Sequence, residues 1–411
     1  MKILMVVAYF IPEIGSAAHV YFDLAKAFVK RGHEVDVITS YPRMFNINAP
    51  DRQEEYPLEE TIEGIRVHRV KHPNTRDNII IRGLEHFLLP GSYFKKYRKL
   101  GKKFDVCLFY IPPLPLYYLA RKIKRYDGTP TVLNFQDFHP QELTDVGVLK
   151  NPVMIKILEH IEREAYTHAD YITVLSHGGI DYIVQRGGNP EKISHIYNGI
   201  LLSDCQYFFK NEDFKKREGI EEKFLISYAG ILSPFQGIDN ILDVARQLID
   251  QKEIIFYLIG DGMIKDHLSQ RIADEHLTNV RLLPLQAREE YFNIINSSDI
   301  NLISLDDRMK APCLPGKTIN LFAVGKPVIA IVGRDSETAH VIDTINPVLV
   351  TEPGKISALK DAILRLKNDK NLMNEVGRKQ RQFFEDTMNL EGNVIAYERI
   401  FGKFIKCPVN D

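Results

Sequence analysis

One short turn of the sequence places a lysine where it could do phosphate chemistry. Pro315-Gly316 leads into Lys317-Thr318-Ile319, and Gly325-Lys326-Pro327 ends the helical pattern before an apolar run. The N-terminus of a helix offers free backbone N–H groups and the positive end of a dipole, and Lys317 adds a full positive charge. We therefore expect this turn to accept a diphosphate. It is not a P-loop, because the pattern GxxxxGK[ST] fails at Ala311.

A second turn with anion-binding composition lies near the N-terminus. Ile14-Gly15-Ser16 separates an apolar run from the first amphipathic helix. Glycine and serine there can bring backbone N–H groups up to an anion or a sugar hydroxyl, although an ordinary strand-to-helix turn has the same composition. The turn has no GxGxxG pattern, which argues against a nicotinamide cofactor.

Two glycine-containing turns open the second half of the chain. Gly230 and the segment up to Gln236-Gly237 follow one apolar run, and Gly260-Asp261-Gly262 follows the next. Glycine after a strand permits close approach of the backbone to a ligand, whereas a plain turn is the alternative. Because both occur in one half of the chain, ligand binding is favoured.

A carboxylate and an imidazole follow the apolar run at residues 131–135. Asp137 and His139 stand two residues apart just past its end. Either side chain could act as a general base, a hydroxyl binder or an electrostatic stabiliser. The alternative is a loop aspartate that caps the next turn, with a surface histidine beside it.

All these turns follow short apolar runs that alternate with helical stretches, which indicates parallel sheets covered by helices on both faces. In such open sheets, ligands bind at the carboxyl ends of the strands. The predicted strands form two series: residues 2–10, 34–40, 65–70, 105–110, 131–135, 170–176 and 193–198, then 224–230, 254–260, 279–284, 300–305, 327–332 and 347–350.

A polar, charged stretch interrupts the alternation and divides the chain. We predict an N-terminal domain over residues 1–202, a linker region over 203–222 and a C-terminal domain over 223–390. The last segment, 391–411, is helical by spacing and is predicted to pack back on the N-terminal domain.

The composition is typical of a globular protein with no strongly charged surface. Apolar residues make up 45% of the 411 residues, and the formal net charge is -1, so nothing points to nucleic acid as a partner. The N-terminal apolar run ends without a small-residue cleavage site, and no run reaches the ~18 apolar residues of a membrane span. The cysteines are widely spaced, which favours a reduced, cytoplasmic setting without structural zinc: Cys107, Cys205, Cys313 and Cys407.

In their order and spacing, these segments resemble the retaining glycosyltransferases of family 4. The resemblance runs over nearly the whole chain and rests on the segments IPEIGSAA, RGHEVDVIT, ISHIYNGI, YAGILSPFQGIDNIL, FYLIGDGM, NVRLLPL and GKTINLFAVGKPVIA. It implies an α/β fold of the GT-B type, with two Rossmann-like, doubly wound parallel-sheet domains that face each other across a cleft. The N-terminal domain would bind the acceptor and the C-terminal domain the nucleotide-sugar.

The resemblance also implies the activity. Within the family, the chain looks most like enzymes that add amino or deoxy sugars to lipid-linked glycans in the assembly of surface polysaccharide, including lipopolysaccharide. The donor is expected to be a nucleotide-sugar, with UDP as the first expectation. Transfer would retain the anomeric configuration and need no metal, no other cofactor and no covalent nucleophile.

Carried over to this sequence, the family's site falls on three groups of residues. Catalytic roles are implied for Asp137, His139 and Lys317, without a decision between Asp137 and His139. The donor diphosphate would contact Gly15, Ser16, Gln236, Gly316, Lys317, Thr318 and Ile319. The nucleoside and sugar would contact Gly230, Gly260, Asp261, Gly262, Leu285 and Asn320.

The chain departs from the family pattern at four positions. Pro312 and Asn320 stand where two glutamates are usual, and Ile231 and Gln236 stand where arginine and lysine are common. Asn320 can still hydrogen-bond a hydroxyl, but it carries no charge. The departures leave Lys317 as the main cation for the diphosphate.

A basic segment at residues 93–104 suggests a contact with a membrane. It carries six cations and no acid: Lys95, Lys96, Arg98, Lys99, Lys102 and Lys103. Aromatic residues recur between them at helical spacing, as in helices that lie on anionic membranes. The alternative is a solvated helix whose aromatics pack on the core. The expected location is the cytoplasm, with peripheral attachment to the inner face of the cell membrane.

Two other functions remain open on the sequence. A nucleotide-sugar 2-epimerase would share the fold but need several carboxylates and histidines in its site and no second substrate. A non-catalytic nucleotide-sugar-binding protein would explain the missing glutamates.

Overall fold

The computed structural model describes residues 1–13, 16–42, 56–71, 79–202, 214–312 and 314–405, with the backbone alone at 16 and 79–84. Gly15, residues 203–213 of the predicted linker, and Cys205, Cys313 and Cys407 lie outside this part. The chain divides into two compact units. The first comprises Met1–Thr144, Leu149–Leu201 and Leu390–Asp411, and the second comprises Asp145–Val148 and Leu202–Asn389.

The first unit is built on an eight-stranded sheet. Its strands are β1 (Lys2–Val6), β2 (Glu34–Ser40), β3 (Glu59–Ile62), β4 (Ile65–Val70), β5 (Val106–Ile111), β6 (Thr131–Phe135), β7 (Tyr171–Val174) and β8 (Ile193–His195). They lie in the order β3-β4-β2-β1-β5-β6-β7-β8, and only β3 is antiparallel to its neighbour. Ile3 of β1 pairs with Val35 on one side and with Val106 on the other. The strand order therefore reverses between β1 and β5.

Helices cover this sheet. They are α1 (Ser16–Lys30), α2 (Ile79–Leu100), α3 (Leu116–Asp127), α4 (Gln141–Asp145), α5 (Pro152–His168) and α6 (His177–Gln185). Local chemistry sets their ends: Asn151 caps α5 by accepting the Val153 and Met154 N–H groups, and Ser176 caps α6 by accepting that of Gly179. Every side chain of β5 and β6 is buried, as expected for a sheet covered on both faces.

The second unit is built on a six-stranded parallel sheet. Its strands are β9 (Phe224–Ala229), β10 (Ile254–Ile259), β11 (Val280–Leu283), β12 (Ile300–Ser304), β13 (Val328–Ile331) and β14 (Val350–Thr351). They lie in the order β11-β10-β9-β12-β13-β14, so the chain proceeds outward from β9 in one direction and from β12 in the other. The reversal lies between β9 and β12.

The second unit also carries its own helices. They are α7 (Phe214–Arg217), α8 (Asp239–Gln247), α9 (Lys265–Asp274), α10 (Arg288–Ser297), α11 (Lys317–Ala323), α12 (Glu337–Asp343), α13 (Ile356–Asn368) and α14 (Lys370–Phe383).

The last helix, α15 (Leu390–Gly402), belongs to the first unit although it follows the second along the chain. Its buried residues Tyr397 and Phe401 join the core of the first unit. Both rings contact Phe28 of α1, with centroids 6.1 and 5.7 Å away. Nowhere in the described chain is there a helix with the length and hydropathy needed to cross a bilayer.

The structure confirms the predicted strand series, but several strands are shorter than predicted, since β7 covers only Tyr171–Val174 and β8 ends at His195. β1 ends at Val6 instead of residue 10, and β14 begins at Val350 because Pro347–Leu349 forms a 3-10 turn capped by Asn346. The sequence analysis missed β3, whose residues are exposed or half-buried, so it has no apolar signal. The predicted helical spacing over 93–104 is also cut short, because α2 ends at Leu100 and Gly101 has a φ of 62°.

Candidate active site

In the second unit, the reversal of strand order brings a glycine and a lysine to the same sheet edge. Gly230 directly follows β9, and Lys317 begins the helix that follows β12. Because neighbouring helices leave opposite faces of the sheet at this point, a crevice opens outside the carboxyl ends of the two strands. This is the place where an α/β sheet of this type binds ligands.

The Lys317 ammonium is held in a defined position. Its Nζ donates to Gln236 Oε1 at 3.0 Å and lies 3.9 Å from the centroid of the Tyr228 ring. The Tyr228 hydroxyl donates to the same Gln236 oxygen at 2.9 Å. A Cβ atom at Gly230 would lie 2.7 Å from Lys317 Nζ, so this glycine leaves the room that the ammonium occupies.

Within the described part of the chain, no carboxylate forms an ion pair with Lys317. Burial lowers the pKa of Lys317 to about 7, because the protonated amine loses water without gaining an anion. A bound anion would restore the missing partner.

The start of α11 offers fewer donors than the sequence analysis predicted. The Thr318 hydroxyl is fully buried, and the Thr318 N–H donates to the Pro315 carbonyl at 2.9 Å. The Ile319 side chain is buried as well. Thr318 is therefore not available to a diphosphate in this conformation, and the predicted role rests on Lys317 and the backbone around Gly316.

The two glycine turns that follow β9 and β10 pack against each other. A Cβ atom at Gly260 would lie 1.9 Å from the Gly230 carbonyl oxygen, and one at Gly262 would lie 2.3 Å from the Leu232 carbonyl oxygen. The sequence analysis attributed these glycines to close approach of a ligand. Close approach of two backbone segments is sufficient to require them.

The remaining residues predicted to contact the nucleoside and sugar lie at or near the same sheet edge. Asp261 is exposed, and its Oδ1 accepts the Gly262 N–H at 2.8 Å. Leu285 is half-buried just after β11. Asn320, on α11, neighbours Tyr291, whose pKa burial raises to about 12 while the Asn320 amide opposes the increase.

In the first unit, the loop after β6 brings together three groups with ligand atoms. Asp137 and His139 are half-buried and Glu142 is buried, and one side-chain ligand atom from each lies within 4.8 Å of the others. Glu142 Oε1 accepts the Phe138 N–H at 2.8 Å, which holds the loop that carries the other two. Carboxylate and imidazole groups can hold a divalent metal, so this trio is the candidate metal site of the described chain.

The two predicted catalytic residues of this loop differ in charge near neutral pH. Burial raises the pKa of Asp137 to about 6. Burial, and then the charge of His86, lower the pKa of His139 to about 4. Near neutral pH, Asp137 is therefore mainly a carboxylate and His139 a neutral imidazole, which can donate and accept hydrogen bonds but has no charge.

Hydrogen bonds between side-chain amides restrain the chain just before this loop. Gln136 donates to both Asn134 and Asn198 and accepts from Asn198 Nδ2, which links the end of β6 to the segment after β8. Asn134 in turn donates to Thr173 of β7 at 2.9 Å. The reciprocal amide contacts restrain the backbone directly before Asp137.

Tyr228, Glu142 and the Gln136 network are not among the residues predicted from the sequence. Tyr228 stands two residues before Gly230, and positions two apart in a strand share a face, so this signal was available. Glu142 stands in the first turn of α4, where an acid is common for helix capping. Nothing in its spacing distinguishes it. Of the predicted N-terminal turn, Gly15 is outside the described residues and Ser16 is described only as the first residue of α1.

The basic segment at residues 93–104 is only partly exposed to solvent. Tyr93, Tyr97 and Phe104 are buried in the first unit, as the alternative interpretation expects. Lys96 pairs with Glu59 at 2.6 Å and Lys102 with Asp36 at 2.6 Å. The other four cations are exposed: Lys95, Arg98, Lys99 and Lys103.

Two family models match this chain. The Glycosyl transferase 4-like domain matches residues 15–199, and Glycosyl transferases group 1 matches residues 209–383. The chain is 23% identical over 372 residues to WcaI of Escherichia coli, whose assignment as a colanic acid biosynthesis glycosyl transferase is provisional; the match covers 87% of this chain and 90% of WcaI. It is 22% identical to the N-acetyl-alpha-D-glucosaminyl L-malate synthase of Bacillus anthracis, over 95% of this chain and 94% of that enzyme.

Solved structures share the architecture of both units. Anabaena HepE in complex with UDP and glucose superimposes with a TM-score of 0.73 at 17% identity, over 98% of this chain and 100% of HepE. At this identity the likeness shows the fold, which is the GT-B arrangement of two parallel-sheet α/β domains that the sequence analysis predicted. The two family models together account for both units. The chain belongs to the family 4 glycosyltransferases of the GT-B fold.

Proposed function

We propose that this glycosyltransferase moves a sugar from a UDP-linked donor to a lipid-linked or other glycan acceptor, with retention at the anomeric carbon. The observation that carries the donor proposal is the Lys317 ammonium at the switch point of the second sheet, positioned by Gln236 and Tyr228. HepE binds UDP and glucose in its structure, and the Bacillus anthracis synthase is named for an N-acetylglucosaminyl group. An amino or deoxy sugar is therefore our expected donor sugar.

Lys317 would act on the leaving group. As the bond between the sugar and the diphosphate breaks, negative charge grows on the diphosphate, and a preorganised ammonium stabilises that charge more than it stabilises the intact donor. The approach of the diphosphate would also raise the depressed pKa of Lys317, because an opposite charge favours the protonated amine.

Gln236 would position this cation instead of supplying a second one. The side-chain carbonyl oxygen of Gln236 accepts a hydrogen bond from Lys317. At the position of Gln236, many relatives are expected to carry a lysine. The arrangement leaves one full charge for the diphosphate. The backbone near Gly230 and Gly316 would add dipoles, and Asn320 would bind a ribose or sugar hydroxyl.

The loop of the first unit would serve the sugar and the acceptor. We propose that the Asp137 carboxylate accepts a hydrogen bond from a reacting hydroxyl and that neutral His139 binds a second hydroxyl. Glu142 would hold both in position through its contact with the Phe138 N–H. No covalent intermediate is required, because the departing diphosphate can itself guide the acceptor to the face it leaves.

We propose that catalysis needs no metal. Asp137, His139 and Glu142 fit a divalent ion in composition, yet Glu142 already accepts a backbone N–H, and Lys317 supplies positive charge for the leaving group. If a metal occupied the trio, it would hold the loop and polarise a bound hydroxyl.

The proposal is tested by incubating the protein with a panel of nucleotide-sugars. We expect slow release of nucleoside diphosphate from the correct donor, faster release with a lipid-linked acceptor, and a glycoside product with the donor's anomeric configuration by NMR. Prior treatment with a chelator should leave the rate unchanged.

Other outcomes would reject parts of the proposal. A changed sugar on an intact nucleotide would indicate an epimerase, and tight binding without turnover would indicate a binding protein. Inversion at the anomeric carbon would reject retention, while loss of activity with the chelator and its recovery with a divalent ion would reject metal independence.

We further propose that the enzyme works in the cytoplasm, attached to the inner face of the cell membrane. The exposed cations Lys95, Arg98, Lys99 and Lys103 of the first unit support this proposal, since anionic lipids attract such residues.

A further inference from the structure

A groove on the first unit combines apolar and cationic walls. It lies between α2 and α3 and has a volume of about 360 Å³. The α2 side is formed by Phe87, Leu88, Pro90 and Gly91, and the α3 side by Tyr118, Arg121, Lys122 and Arg125. None of the residues chosen for the donor or the acceptor takes part in it.

The apolar wall is unusually exposed for side chains of this size. Leu88 is 59% exposed and Phe87 is 36% exposed, and they are adjacent in the sequence. By contrast, Tyr93, Tyr97 and Phe104, the aromatics predicted to meet a membrane, are buried. The apolar surface that α2 offers to a partner therefore lies one to two turns before residues 93–104, in the preceding stretch IIIRGLEHFLLPG, which the sequence also assigns to the amphipathic patch.

The opposite wall is positively charged. Arg121 and Arg125 stand one helical turn apart on α3, with Lys122 beside them, and none of the described residues that line the groove is acidic. The Arg121 guanidinium also forms an ion pair with Glu164, with 3.3 Å between Nη1 and Oε2. Lys122 and Arg125 are exposed. Guanidinium and ammonium groups arranged in this way suit a phosphate, and the facing Leu88 and Phe87 suit hydrocarbon.

We propose that this groove binds one anionic phospholipid of the membrane, with the phosphate on Arg121, Lys122 and Arg125 and the first methylene groups against Phe87 and Leu88. The binding site fits this amphipathic ligand because cations and apolar side chains face each other across one groove. It is independent of the donor site, so its occupancy is measurable without any sugar transfer.

A fluorescence experiment tests the position of the lipid. The chain contains no tryptophan, so Leu88→Trp introduces a single reporter. With vesicles of phosphatidylglycerol that carry brominated acyl chains, we expect a blue shift and quenching of its emission. Val153→Trp, at an exposed apolar position on α5, is the matched control and should show neither effect. Unchanged emission from Leu88→Trp would overturn the proposal.

Charge reversal tests the phosphate contact. Lys122→Glu with Arg125→Glu should weaken sedimentation with phosphatidylglycerol vesicles at least about tenfold. Lys370→Glu with Arg378→Glu makes the same charge change on exposed positions of α14 and should bind as the parent does. Donor hydrolysis by both double variants without vesicles should be normal, which separates this test from the proposed transfer.

Three results of the vesicle experiment would also contradict the proposal. An equal loss with Lys95→Glu and Lys99→Glu would assign binding to a diffuse basic surface of α2. Complete displacement by inorganic phosphate at the concentration of the lipid phosphate would show a free-phosphate site instead of a phospholipid site. Equal binding to phosphatidylcholine vesicles would overturn the role of the cations.

Discussion

At the scale of single residues, the chemistry proposed for the second unit depends on Lys317. The ammonium lies against a π face, a neutral amide oxygen and a glycine, which offset part of its lost hydration, but no carboxylate among the described residues pairs with it. Such an environment is costly for a structural lysine and useful for one that must meet an anion.

Removal of the Lys317 charge should lower donor turnover. For Lys317→Gln we expect donor hydrolysis to decrease by about 100-fold, the usual effect of losing one preorganised electrostatic contact. Lys326→Gln, just beyond the end of α11, is the matched control and should keep the parent rate. Near-normal turnover by Lys317→Gln would exclude the proposed role.

The pKa of Lys317 predicts how UDP affinity depends on pH. Burial depresses the pKa of Lys317 to about 7. In the protein without UDP, the side chain is therefore a charged ammonium below that pH and a neutral amine above it. We expect UDP affinity to fall by up to about tenfold for each pH unit above the pKa, until the pKa of the bound state is reached.

Calorimetric titration with UDP at several pH values measures this effect and the accompanying proton uptake. The ionisation of UDP itself is common to parent and variant, so Lys317→Gln supplies the baseline. A variant with the same pH dependence as the parent would show that another group titrates.

The pKa of Asp137 predicts the acid limit of activity. The carboxylate is protonated as the pH falls through about 6, so kcat/KM should decrease below that pH. Asp137→Asn should have a low kcat/KM that does not decrease further below pH 6. His139→Gln should keep the acid limb, which is the decrease of kcat/KM below pH 6, because the pKa of His139 is about 4. If His139→Gln abolished the limb, the two roles would have to be exchanged.

At the scale of elements, the strands are where sequence reasoning succeeds. Short runs rich in apolar residues located the parallel strands, most clearly those whose side chains are all buried, such as β5, β6 and β10. β3 was not predicted, because an exposed edge strand needs no apolar face. Tertiary contacts such as Gln236 to Lys317 join residues 81 positions apart, and no local pattern contains them.

The turns after β9 and β10 form a structural element of their own. For Gly260→Ala we expect the free energy of unfolding to fall by about 1–3 kcal/mol or more, because the new Cβ meets the Gly230 carbonyl oxygen. Gly333→Ala, whose Cβ would lie 4.0 Å from Asp307 Oδ1, its nearest neighbour among the described residues, is the control. Denaturant titration gives both values, and equal stability would contradict the packing explanation.

At the scale of the whole molecule, the sequence predicted the two-unit architecture from the two series of strands. It predicted the site residues less completely, since they were transferred from a family pattern that this chain breaks at Pro312, Ile231, Gln236 and Asn320. The contacts of Lys317 with Gln236 and Tyr228 explain how its ammonium is held in position although Gln236 replaces the lysine expected there. No spacing rule reports that Thr318 is buried.

The separate cores of the two units predict separate responses to mutation. Phe401→Ala should destabilise the first unit by about 3–5 kcal/mol, since it removes a fully buried ring from that core. UDP binding by the second unit should persist. Ile395→Ala, 36% exposed on the same helix, is the control. Thermal unfolding with and without UDP measures both effects, and a parallel loss of UDP binding would show that the units unfold together.

The position of α15 has a consequence for synthesis of the protein. α15 contributes five residues to a buried core whose other members come from the first 201 residues: Leu390, Val394, Tyr397, Ile400 and Phe401. During translation, the ribosome must therefore finish the second unit before the first can close around its last helix. Until residues 390–402 have been synthesised, the surface of α1 that packs against α15 therefore stays uncovered.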